Sequence, residues 1–240
     1  MIHGAFFSDK GTREENEDGV LIKEEKNRIA AVVADGLGGQ GGGSQASQIA
    51  VSRLCAFLPP ENYEEEIHGR FSAANREILA GQTANIKMMS TAVALFVEGR
   101  YAVWAHIGDS RLYHFVDGRL VFQTFDHSVS QMAVFRKVIT QEEIRFHEDR
   151  NRVLRALGGD KEAKEETGSQ ELGKGFHAFL LCTDGFWEYV LESEMEQTLS
   201  ESATPEKWLI SMCNILQKKN SPEHDNFTAA AVFYTGEETV

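Results

Sequence analysis

Five aspartates in this sequence lie close to an end of an apolar run of the kind that forms a buried strand: Asp18, Asp35, Asp109, Asp184 and Asp225. A side chain at the end of a core strand is held in a fixed position, as a binding site requires. If folding brings these strand ends together, the carboxylates would share one pocket, where like charges repel or become protonated unless cations lie between them. Carboxylate and carbonyl oxygens suit Mg²⁺ or Mn²⁺, and no His/Cys pattern of a zinc site accompanies them. The sequence therefore predicts a site for hard divalent cations.

The surroundings of the Asp-Gly pairs separate a turn from the candidate ligands. Asp117-Gly118 joins two short strand-like runs and is typical of a hairpin turn. Asp35 and Asp184 instead follow long apolar runs, and Asp35 opens the glycine-rich stretch 36–43. That stretch lacks the Lys-Ser/Thr ending of a nucleotide-binding P-loop, and its glycines would equally serve a tight turn. Beside Asp35, however, glycine permits backbone oxygens to approach a metal. An isolated Asp at a strand end is most often a turn or a cap, but five in one chain favour a shared site.

The charge balance and the cysteines exclude several classes of protein. The 240 residues carry 24 Lys and Arg against 37 Asp and Glu, a formal net charge of −13, so we expect no nucleic-acid and no membrane partner. No apolar run approaches the about 18 to 20 residues that cross a bilayer, and the N-terminal residues lack the layout of a secretion signal. The three cysteines, Cys55, Cys182 and Cys213, lie singly, which argues against a disulfide framework. These features predict a cytoplasmic protein.

The spacing of apolar residues predicts antiparallel sheets covered by helices. Strand patterns occur at 2–7, 20–23, 29–34, 91–97, 101–107, 111–115, 119–123, 176–182 and 227–234. Helical spacing occurs at 46–57, 67–79, 193–199 and 205–217, and the polar segment 127–150 is expected to be helical in part. Short turns make neighbouring strands antiparallel, and no linker separates two halves of different composition. We therefore expect an α+β fold in a single domain, residues 1–240.

A family resemblance rests on eight short segments that span nearly the whole chain: REENED (13–18), ADGLGG (34–39), STA (90–92), GDSRLY (108–113), DHS (126–128), RALG (155–158), TDGFW (183–187) and DNFT (225–228). In this order they resemble the metal-dependent serine/threonine protein phosphatases, the PPM or type 2C family, in their short bacterial form. The resemblance implies a four-layer α/β/β/α sandwich, in which two antiparallel sheets are flanked by helix pairs. It agrees with the fold expected from the apolar spacing.

The resemblance also implies a pair of core ions, Mn²⁺ or Mg²⁺, and their ligands. Asp35 would bridge the two ions, and the backbone carbonyl of Gly36 would bind one of them. Asp184 and Asp225 would bind the other ion. Together, Asp35, Asp184 and Asp225 would form the catalytic centre.

The resemblance also implies roles for residues that do not bind the two core ions directly. Asp109 would hold a weaker third ion, with Asp184 as a shared ligand. Asp18 would act on the metals through bound water, with Glu17 beside it. Arg13 corresponds to the family's phosphate-binding arginine, whose bidentate contact a lysine would not reproduce.

The implied activity is hydrolysis of phosphoserine and phosphothreonine in proteins by direct attack of a metal-bridging hydroxide, with no phosphoenzyme. Its partners would be phosphorylated proteins and a bacterial serine/threonine kinase that it opposes, and the protein is expected to be a monomer. One alternative is a pseudophosphatase, which uses the fold as a binding or regulatory module, although such proteins usually lack one or more metal aspartates. Another is a hydrolase of small phosphate esters.

Some positions depart from the family pattern or have a structural interpretation. Leu37 stands where some members have a candidate acid histidine, so the group that protonates the leaving oxygen is unassigned. His127 is interpreted as a structural histidine. Arg111 is expected to brace Asp109 through a salt bridge. The polar residues 130–150 correspond to the variable flap beside the active site, where protein substrates would be selected.

Overall fold

The computed structural model describes residues 1–38, 41–59, 61–219 and 223–236, so the glycine-rich stretch 36–43 lies partly outside the described residues. The strands in these ranges are β1 Ile2–Asp9, β2 Gly19–Glu25, β3 Arg28–Ala34, β4 Gly36–Leu37, β5 Met89–Ser90, β6 Ala92–Glu98, β7 Tyr101–Ile107, β8 Arg111–Val116, β9 Arg119–Gln123, β10 Glu166–Glu171, β11 Gly175–Cys182 and β12 Phe227–Gly236. Sheet A has the strand order β1-β12-β11-β8-β9, and sheet B has the order β10-β7-β6-β3-β2. The short strands β4 and β5 pair separately, and every pairing between these strands is antiparallel.

Helices cover the outer face of each sheet. The α-helices are α1 Gly42–Leu54, α2 Tyr63–Gly81, α3 Val129–Phe135, α4 Asp184–Trp187, α5 Glu192–Ser200 and α6 Pro205–Lys218, and a 3₁₀ helix spans Glu142–Phe146. Helices α1 and α2 share a core with sheet B, and α5 and α6 share a core with sheet A. A third core lies between the two sheets. The predicted four-layer α/β/β/α sandwich is therefore confirmed.

Strand β3 shows how the layers fix the position of an aspartate. Alternate residues of β3 belong to different cores: Ala30, Val32 and Ala34 pack beneath α1 and α2, whereas Ile29, Ala31 and Val33 pack against sheet A. A strand buried on both faces has a continuous apolar sequence, because neither set of side chains can be polar. Asp35 is the next residue, so its backbone directly follows a strand that is buried on both faces.

The antiparallel order brings the aspartate-bearing strand ends to one edge of the sandwich. In sheet B, β3 and β7 run in the same direction, and both end beside the start of β6, while the end of β3 also lies beside the start of β2. In sheet A, the end of β11 lies beside the starts of β8 and β12. The chain passes from β7 to β8 at this edge, so one turn joins the two sheets there. This arrangement explains how aspartates far apart in sequence can line one cleft.

The Asp117-Gly118 pair forms the predicted hairpin turn between β8 and β9. Asp117 has a φ of 47° and Gly118 a φ of 82°. Positive φ at both central residues is the signature of a two-residue hairpin turn that matches the twist of its strands. The turn lies at the opposite edge of sheet A from the aspartate-bearing strand ends, so this Asp-Gly pair contributes no side chain to that edge.

The structure contains elements that the apolar spacing did not predict. Strand β10 pairs with β7 at the edge of sheet B, but most of its residues are exposed and polar, so it lacks an alternating apolar pattern. The two-residue strands β4 and β5 and the single turn of α4 are too short to show any period. Within the described parts of the chain, no helix combines the length and the apolar character that a membrane crossing needs.

His3 connects β1 to β2 and to α6 through charged contacts. Its Nε2 atom lies 2.6 Å from Glu206 of α6, and its Nδ1 atom lies 3.2 Å from Glu24 of β2. The hydrogen bond to Glu206 is the main cause that raises the pKa of His3 above its ordinary 6.5, with Glu24 adding to it and partial burial opposing it. The protonated imidazole therefore holds three elements together.

We predict that His3→Gln destabilises the protein at pH 6 and has little effect at pH 9. Because the pKa is raised in the folded state, the stabilisation is complete below pH 6.5 and is lost as the pH rises through the folded pKa. The ring is half exposed, so the loss should be within the about 0–1 kcal/mol of surface ion pairs. Urea unfolding at the two pH values measures it, and an equal loss at both would contradict the assignment.

Candidate functional site

A cleft of about 590 Å³ opens at the edge of the sandwich where the aspartate-bearing strands end, and its lining includes Asp35, Gly36, Asp109, Asp184, Asp225 and Arg13. Asp18 lies beside these residues as a buried side chain, and its Oδ2 atom accepts a hydrogen bond of 3.0 Å from the hydroxyl of Thr183. Every residue that the sequence nominated for the site therefore lies in or next to one cleft. Their roles toward a metal are taken up under the proposed function.

The backbone around Asp35 is tied firmly to the neighbouring strand. The Asp35 amide donates to the hydroxyl of Thr91 at 3.0 Å, and its carbonyl accepts from the Thr91 amide at 2.9 Å and from the Ser90 hydroxyl at 3.0 Å. A Cβ atom on Gly36 would overlap the carbonyl oxygen of Gly43, so only glycine fits there. The carboxylate of Asp35 and the carbonyl of Gly36 are thus presented from a fixed turn.

Asp184 and Asp225 are positioned by the hydrogen bonds of their own turns. The Asp184 carboxylate accepts from the amide of Gly185 at 2.7 Å, as the first residue of α4. The Asp225 carboxylate accepts from the amide of Asn226 at 2.8 Å, just before β12. The guanidinium of Arg13 donates to the other oxygen of Asp225 at 2.8 Å, and its side chain is 61% exposed at the rim of the cleft. Arg13 therefore lies close to the acids but retains freedom to reorient.

Burial and mutual repulsion raise the pKa values of the clustered carboxyls. Burial is the largest cause for Asp35, whose pKa lies well above its ordinary value, and the charge of Asp184 is the next. Burial also raises the pKa of Asp184 to about 6, with Asp225 adding to it, and raises the pKa of Asp18 to about 7. Without a cation, these groups cannot all be ionised at neutral pH at low cost.

Two buried carboxylate oxygens in the cluster have no hydrogen-bond partner. They are Oδ1 of Asp18 and Oδ1 of Asp109, and both residues are almost fully buried. An unpaired buried oxygen of this kind costs free energy unless a cation or a water contacts it. The donor set of carboxylates and one backbone carbonyl is the set that hard divalent cations bind. The residues present therefore fit a divalent metal site.

The backbone of Asp109 is held in place, while one oxygen of its carboxylate, Oδ1, has no hydrogen-bond partner. Gly108, just before it, has a φ of 100°, a region that favours glycine. The indole N–H of Trp187 donates to the Asp109 carbonyl at 3.0 Å. Burial, followed by the charges of Asp184 and Asp126, keeps the pKa of Asp109 well above its ordinary value.

Arg111 has a different partner from the one predicted. Instead of a salt bridge to Asp109, its guanidinium makes two hydrogen bonds of 2.8 Å to the two oxygens of Asp126, with both side chains buried. The guanidinium also lies over the ring of Trp187, 3.4 Å from its centroid. The prediction was wrong because Asp126 is delivered to this point by the chain after β9, which local sequence does not reveal.

His127 lies next to the site, and its contacts are those of a structural histidine, as the sequence predicted. Its Nδ1 atom accepts from the Gly108 amide at 3.1 Å, so the proton of the neutral ring lies on Nε2. The ring stacks on His106 with centroids 4.7 Å apart and planes 13° from parallel. It thus supports the turn that carries Asp109.

His106, His127 and Glu166 bring potential ligand atoms within 4.8 Å of one another. Two features of the geometry argue against a metal there. Nearly parallel stacked rings cannot direct both in-plane lone pairs at one ion, and His127 would have to move its proton to Nδ1, against the Gly108 amide. The carboxylates of the cleft fit a metal ion better than this group does.

Glu17 forms hydrogen bonds with backbone amides. Its carboxylate accepts hydrogen bonds from the amides of Gly43 and Ser44 at the start of α1, and its pKa is raised mainly by burial, with those bonds opposing the rise. The start of α1 carries a partial positive charge that favours such an anion. Glu17 therefore joins the turn before β2 to the helix that follows the Asp35 loop.

Residues from the end of the flap region also reach the cleft, although sequence reasoning did not nominate them. Asn151 lines the cleft, and with Arg150 it also lines an adjoining cavity of about 270 Å³. Arg150 pairs with Glu188 of the α4 region at 2.9 Å. Burial raises the pKa of Glu188 to about 7, and the charge of Asp184 adds to the rise. These residues were missed because the segment is polar and shows no apolar period that would fix their direction.

Comparison with known proteins identifies the family. Residues 9–226 match the family model described as protein phosphatase 2C. The chain therefore belongs to the protein phosphatase 2C family, which confirms the resemblance of its eight short segments. It is a serine/threonine protein phosphatase, and phosphatases of this family require divalent metal ions.

Individual relatives are similar over most of the chain. Serine/threonine phosphatase stp of Listeria monocytogenes is 31% identical over 215 residues, which are 85% of each chain. Serine/threonine protein phosphatase PstP of Mycobacterium tuberculosis is 32% identical over 216 residues, which are 85% of this chain and 41% of PstP. The solved structure of phosphatase Stp1 from Staphylococcus aureus superposes with a TM-score of 0.87 at 27% identity, covering 98% of this chain and 96% of that one. A PstP catalytic domain in complex with two manganese ions gives a TM-score of 0.81 at 28% identity, covering 96% and 97%.

We predict that metal-free protein becomes less stable as the pH rises from about 4 to about 7. Asp18 and Asp184 have raised pKa values in the folded state, so in this window the folded state binds more protons than the unfolded state does. Asp184→Asn removes one of the repelling charges and should raise the melting temperature of EDTA-treated protein more at pH 7.5 than at pH 5. Thermal unfolding of both proteins at both pH values measures the effect.

Added Mn²⁺ serves as the control for this prediction. It should stabilise the wild-type protein at pH 7.5 by binding the folded state, and stabilise Asp184→Asn much less. Equal pH dependence in the two metal-free proteins would show that Asp184 is not repelled by its neighbours.

Proposed function

We propose that this protein hydrolyses phosphoserine and phosphothreonine in proteins by direct attack of water on phosphorus, with no phosphoenzyme. The convergence of Asp35, Asp109, Asp184 and Asp225 on one cleft that Arg13 borders carries the proposal. The names of the relatives, serine/threonine phosphatases, support the substrate class. Two bound divalent cations, Mn²⁺ or Mg²⁺, would supply water activation and shield the charge of the phosphoryl oxygens.

The ligand assignment that we propose follows the placement of each side chain. Asp35 and the Gly36 carbonyl lie on one turn and would hold the core pair from the sheet B side. Asp184 and Asp225 lie at adjacent strand ends of sheet A and would hold it from the other side. Because burial and repulsion already disfavour ionised carboxylates here, cation binding relieves the repulsion.

Asp109 and Asp18 take the remaining roles in this proposal. Asp109, with Asp184, would bind a weaker third ion, and its unpaired oxygen is available for that contact. Asp18 is also buried, and one of its carboxylate oxygens accepts a hydrogen bond from Thr183, so it would contact the metals through water. Both oxygens left unpaired in the cluster thereby gain a partner.

Arg13 would bind the phosphoryl group of the substrate. It now contacts Asp225, and cation binding to Asp225 would weaken that ion pair and release the guanidinium. A guanidinium can then make two parallel hydrogen bonds to the phosphoryl oxygens. Leu37 has no proton to donate, so the leaving serine or threonine oxygen would be protonated by water.

The setting that we propose for this activity is the cytoplasm. The three cysteines are free thiols, as a reducing compartment allows. A kinase that phosphorylates serine and threonine must supply the substrates, and the phosphatase would oppose it. We also propose that residues 1–240 act as one catalytic domain, since the two sheets share a core. We propose that this domain acts as a monomer.

We predict that purified protein with Mn²⁺ releases phosphate from a phosphothreonine peptide and that EDTA abolishes the release. Asp184→Asn should lower kcat by about 100-fold or more, because it removes a charge from a shared metal ligand. Asp117→Asn, which changes the hairpin turn at the other edge, is the matched control and should keep full activity. A folded, Mn²⁺-loaded protein that binds phosphopeptide without turnover would indicate a pseudophosphatase. Turnover of small esters alone would indicate a hydrolase of small phosphate esters.

We predict that Arg13→Lys raises KM for the phosphopeptide by about tenfold, because a lysine makes one point contact where the guanidinium makes two. Arg119→Lys, at an exposed ion pair far from the cleft, is the control. Steady-state kinetics at saturating Mn²⁺ measures both. An unchanged KM for Arg13→Lys would exclude Arg13 from phosphate binding.

A further inference from the structure

Arg13, the proposed phosphate-binding residue, lies on a loop that is held on both arms by one side chain. The loop is residues 10–17, between β1 and β2. The buried side chain of Asn226 donates to two carbonyls of this loop at 2.9 Å each and accepts from the amide of Glu17 at 2.7 Å. These bonds fix the arms of the loop and leave its tip, residues 11–13, to other contacts.

Thr12 fixes the tip of this loop through its hydroxyl. The hydroxyl donates to the carbonyl of His224 at 2.9 Å and accepts from the amide of the same residue at 3.0 Å. The Thr12 amide also donates to the His224 carbonyl, at 3.0 Å. Both polar groups of the His224 backbone are therefore bound by the residue that directly precedes Arg13.

Gly11 allows the backbone of the loop tip to lie directly against the segment 224–226. It has a φ of 59°, and a Cβ atom there would overlap the carbonyl oxygen of Asp225. Only glycine fits so close to another backbone at a positive φ. The tip of the loop is thus packed on the segment that carries one proposed metal ligand.

The side chain of Arg13 has much less support than its backbone. It is 61% exposed, and among the described residues its guanidinium hydrogen-bonds only to Asp225. In the proposed function, cation binding to Asp225 releases it. The place of the guanidinium relative to the metals then depends on where the loop tip is held. A side chain whose backbone is already in place loses less freedom when it binds a ligand.

We propose that Thr12 is a positioning residue for phosphate binding, because its hydroxyl, bound to the backbone of His224, holds Arg13 within reach of the phosphoryl group. The inference rests on the proposed function, which assigns phosphate binding to Arg13. Without the hydroxyl, the tip of the loop loses two of its three hydrogen bonds to His224. Phosphate binding must then order the tip, and the affinity for phosphate falls.

The test is Thr12→Val, which keeps the branched shape of an exposed side chain and removes its hydroxyl. At saturating Mn²⁺, KM for a phosphothreonine peptide should rise about threefold, within the contribution of a single hydrogen bond, while kcat and the affinity for Mn²⁺ stay unchanged. Calorimetric titration of the Mn²⁺-loaded protein with inorganic phosphate should show the same loss of affinity. Thr12→Ser, which keeps the hydroxyl, should restore most of it.

A double-mutant cycle with Arg13→Lys shows whether Thr12 acts through Arg13. If it does, Thr12→Val should have little further effect once the guanidinium is gone, so the KM of the double variant should match that of Arg13→Lys. A rise by the full factor of Thr12→Val on top of the effect of Arg13→Lys would overturn the proposal, because Thr12 would then act independently of Arg13.

Thr204→Val is the matched control. The Thr204 hydroxyl accepts from the amide of Lys207 at the start of α6, which covers the outer face of sheet A. This variant also removes a hydroxyl that is bonded to the backbone, so it should lower the melting temperature without changing KM or the affinity for phosphate. If Thr12→Val fails to fold, Thr12→Ala tests the same bonds with a smaller side chain.

Unchanged KM and phosphate affinity in Thr12→Val would overturn the proposal. A joint loss of Mn²⁺ affinity would also overturn it, since that pattern indicates distortion of the metal site. The phosphate titrations do not depend on turnover. If the wild-type protein binds Mn²⁺ and phosphate but releases no phosphate from the peptide, the proposed function fails, and the phosphate affinities of the proteins in the cycle still decide the role of Thr12.

Discussion

Repulsion among buried carboxylates is the constraint on which the rest of this structure depends. Asp35, Asp109 and Asp184 each have a raised pKa, with burial the first cause and the charge of another aspartate in the cluster among the next. A fold gains no stability from such a cluster, since each charge disfavours its neighbours in a poorly solvated place. The cluster persists because the backbone that carries it is held by a large core on every side. In the proposed function, relief of this repulsion would favour the binding of cations.

The scaffold opposes this repulsion with elements that cannot move independently. β3 is buried on both faces, so the turn after it, which carries Asp35, is fixed from both layers. The β7–β8 turn with Asp109 is supported by His127 from one side and by Trp187 from the other. The buried pair of Arg111 and Asp126 lies directly behind it. The guanidinium of Arg111 is therefore close to the clustered aspartates, but its charge is already balanced by Asp126. It does not take the part of a cation bound to the cluster.

The sequence predicted antiparallel sheets covered by helices, and the five aspartates of the site, because both depend on local patterns. The four-layer order and the place of Arg13 were expected only from the family resemblance. Apolar runs such as 29–34 mark buried strands, and an acid after such a run can only lie at a strand end. What could not be predicted are contacts made by groups far apart in sequence and placed by packing. Arg111 pairs with Asp126, and not with Asp109, which is nearer in sequence, because the chain after β9 returns to the side chain of Arg111. The hydroxyl of Thr12 likewise contacts the backbone of His224, although the two residues are 212 positions apart.

The net charge of −13 acquires a physical meaning from this arrangement. If the acids that line the cleft bind divalent ions as proposed, those ions would make the cleft less negative than the surface around it when an anionic phosphoprotein approaches. The most direct test of this account is the anomalous scattering of manganese in crystals grown with Mn²⁺. The account predicts two strong peaks in the cleft, contacted by Asp35, Asp184 and Asp225. Peaks at His106, His127 and Glu166 with none in the cleft would contradict it.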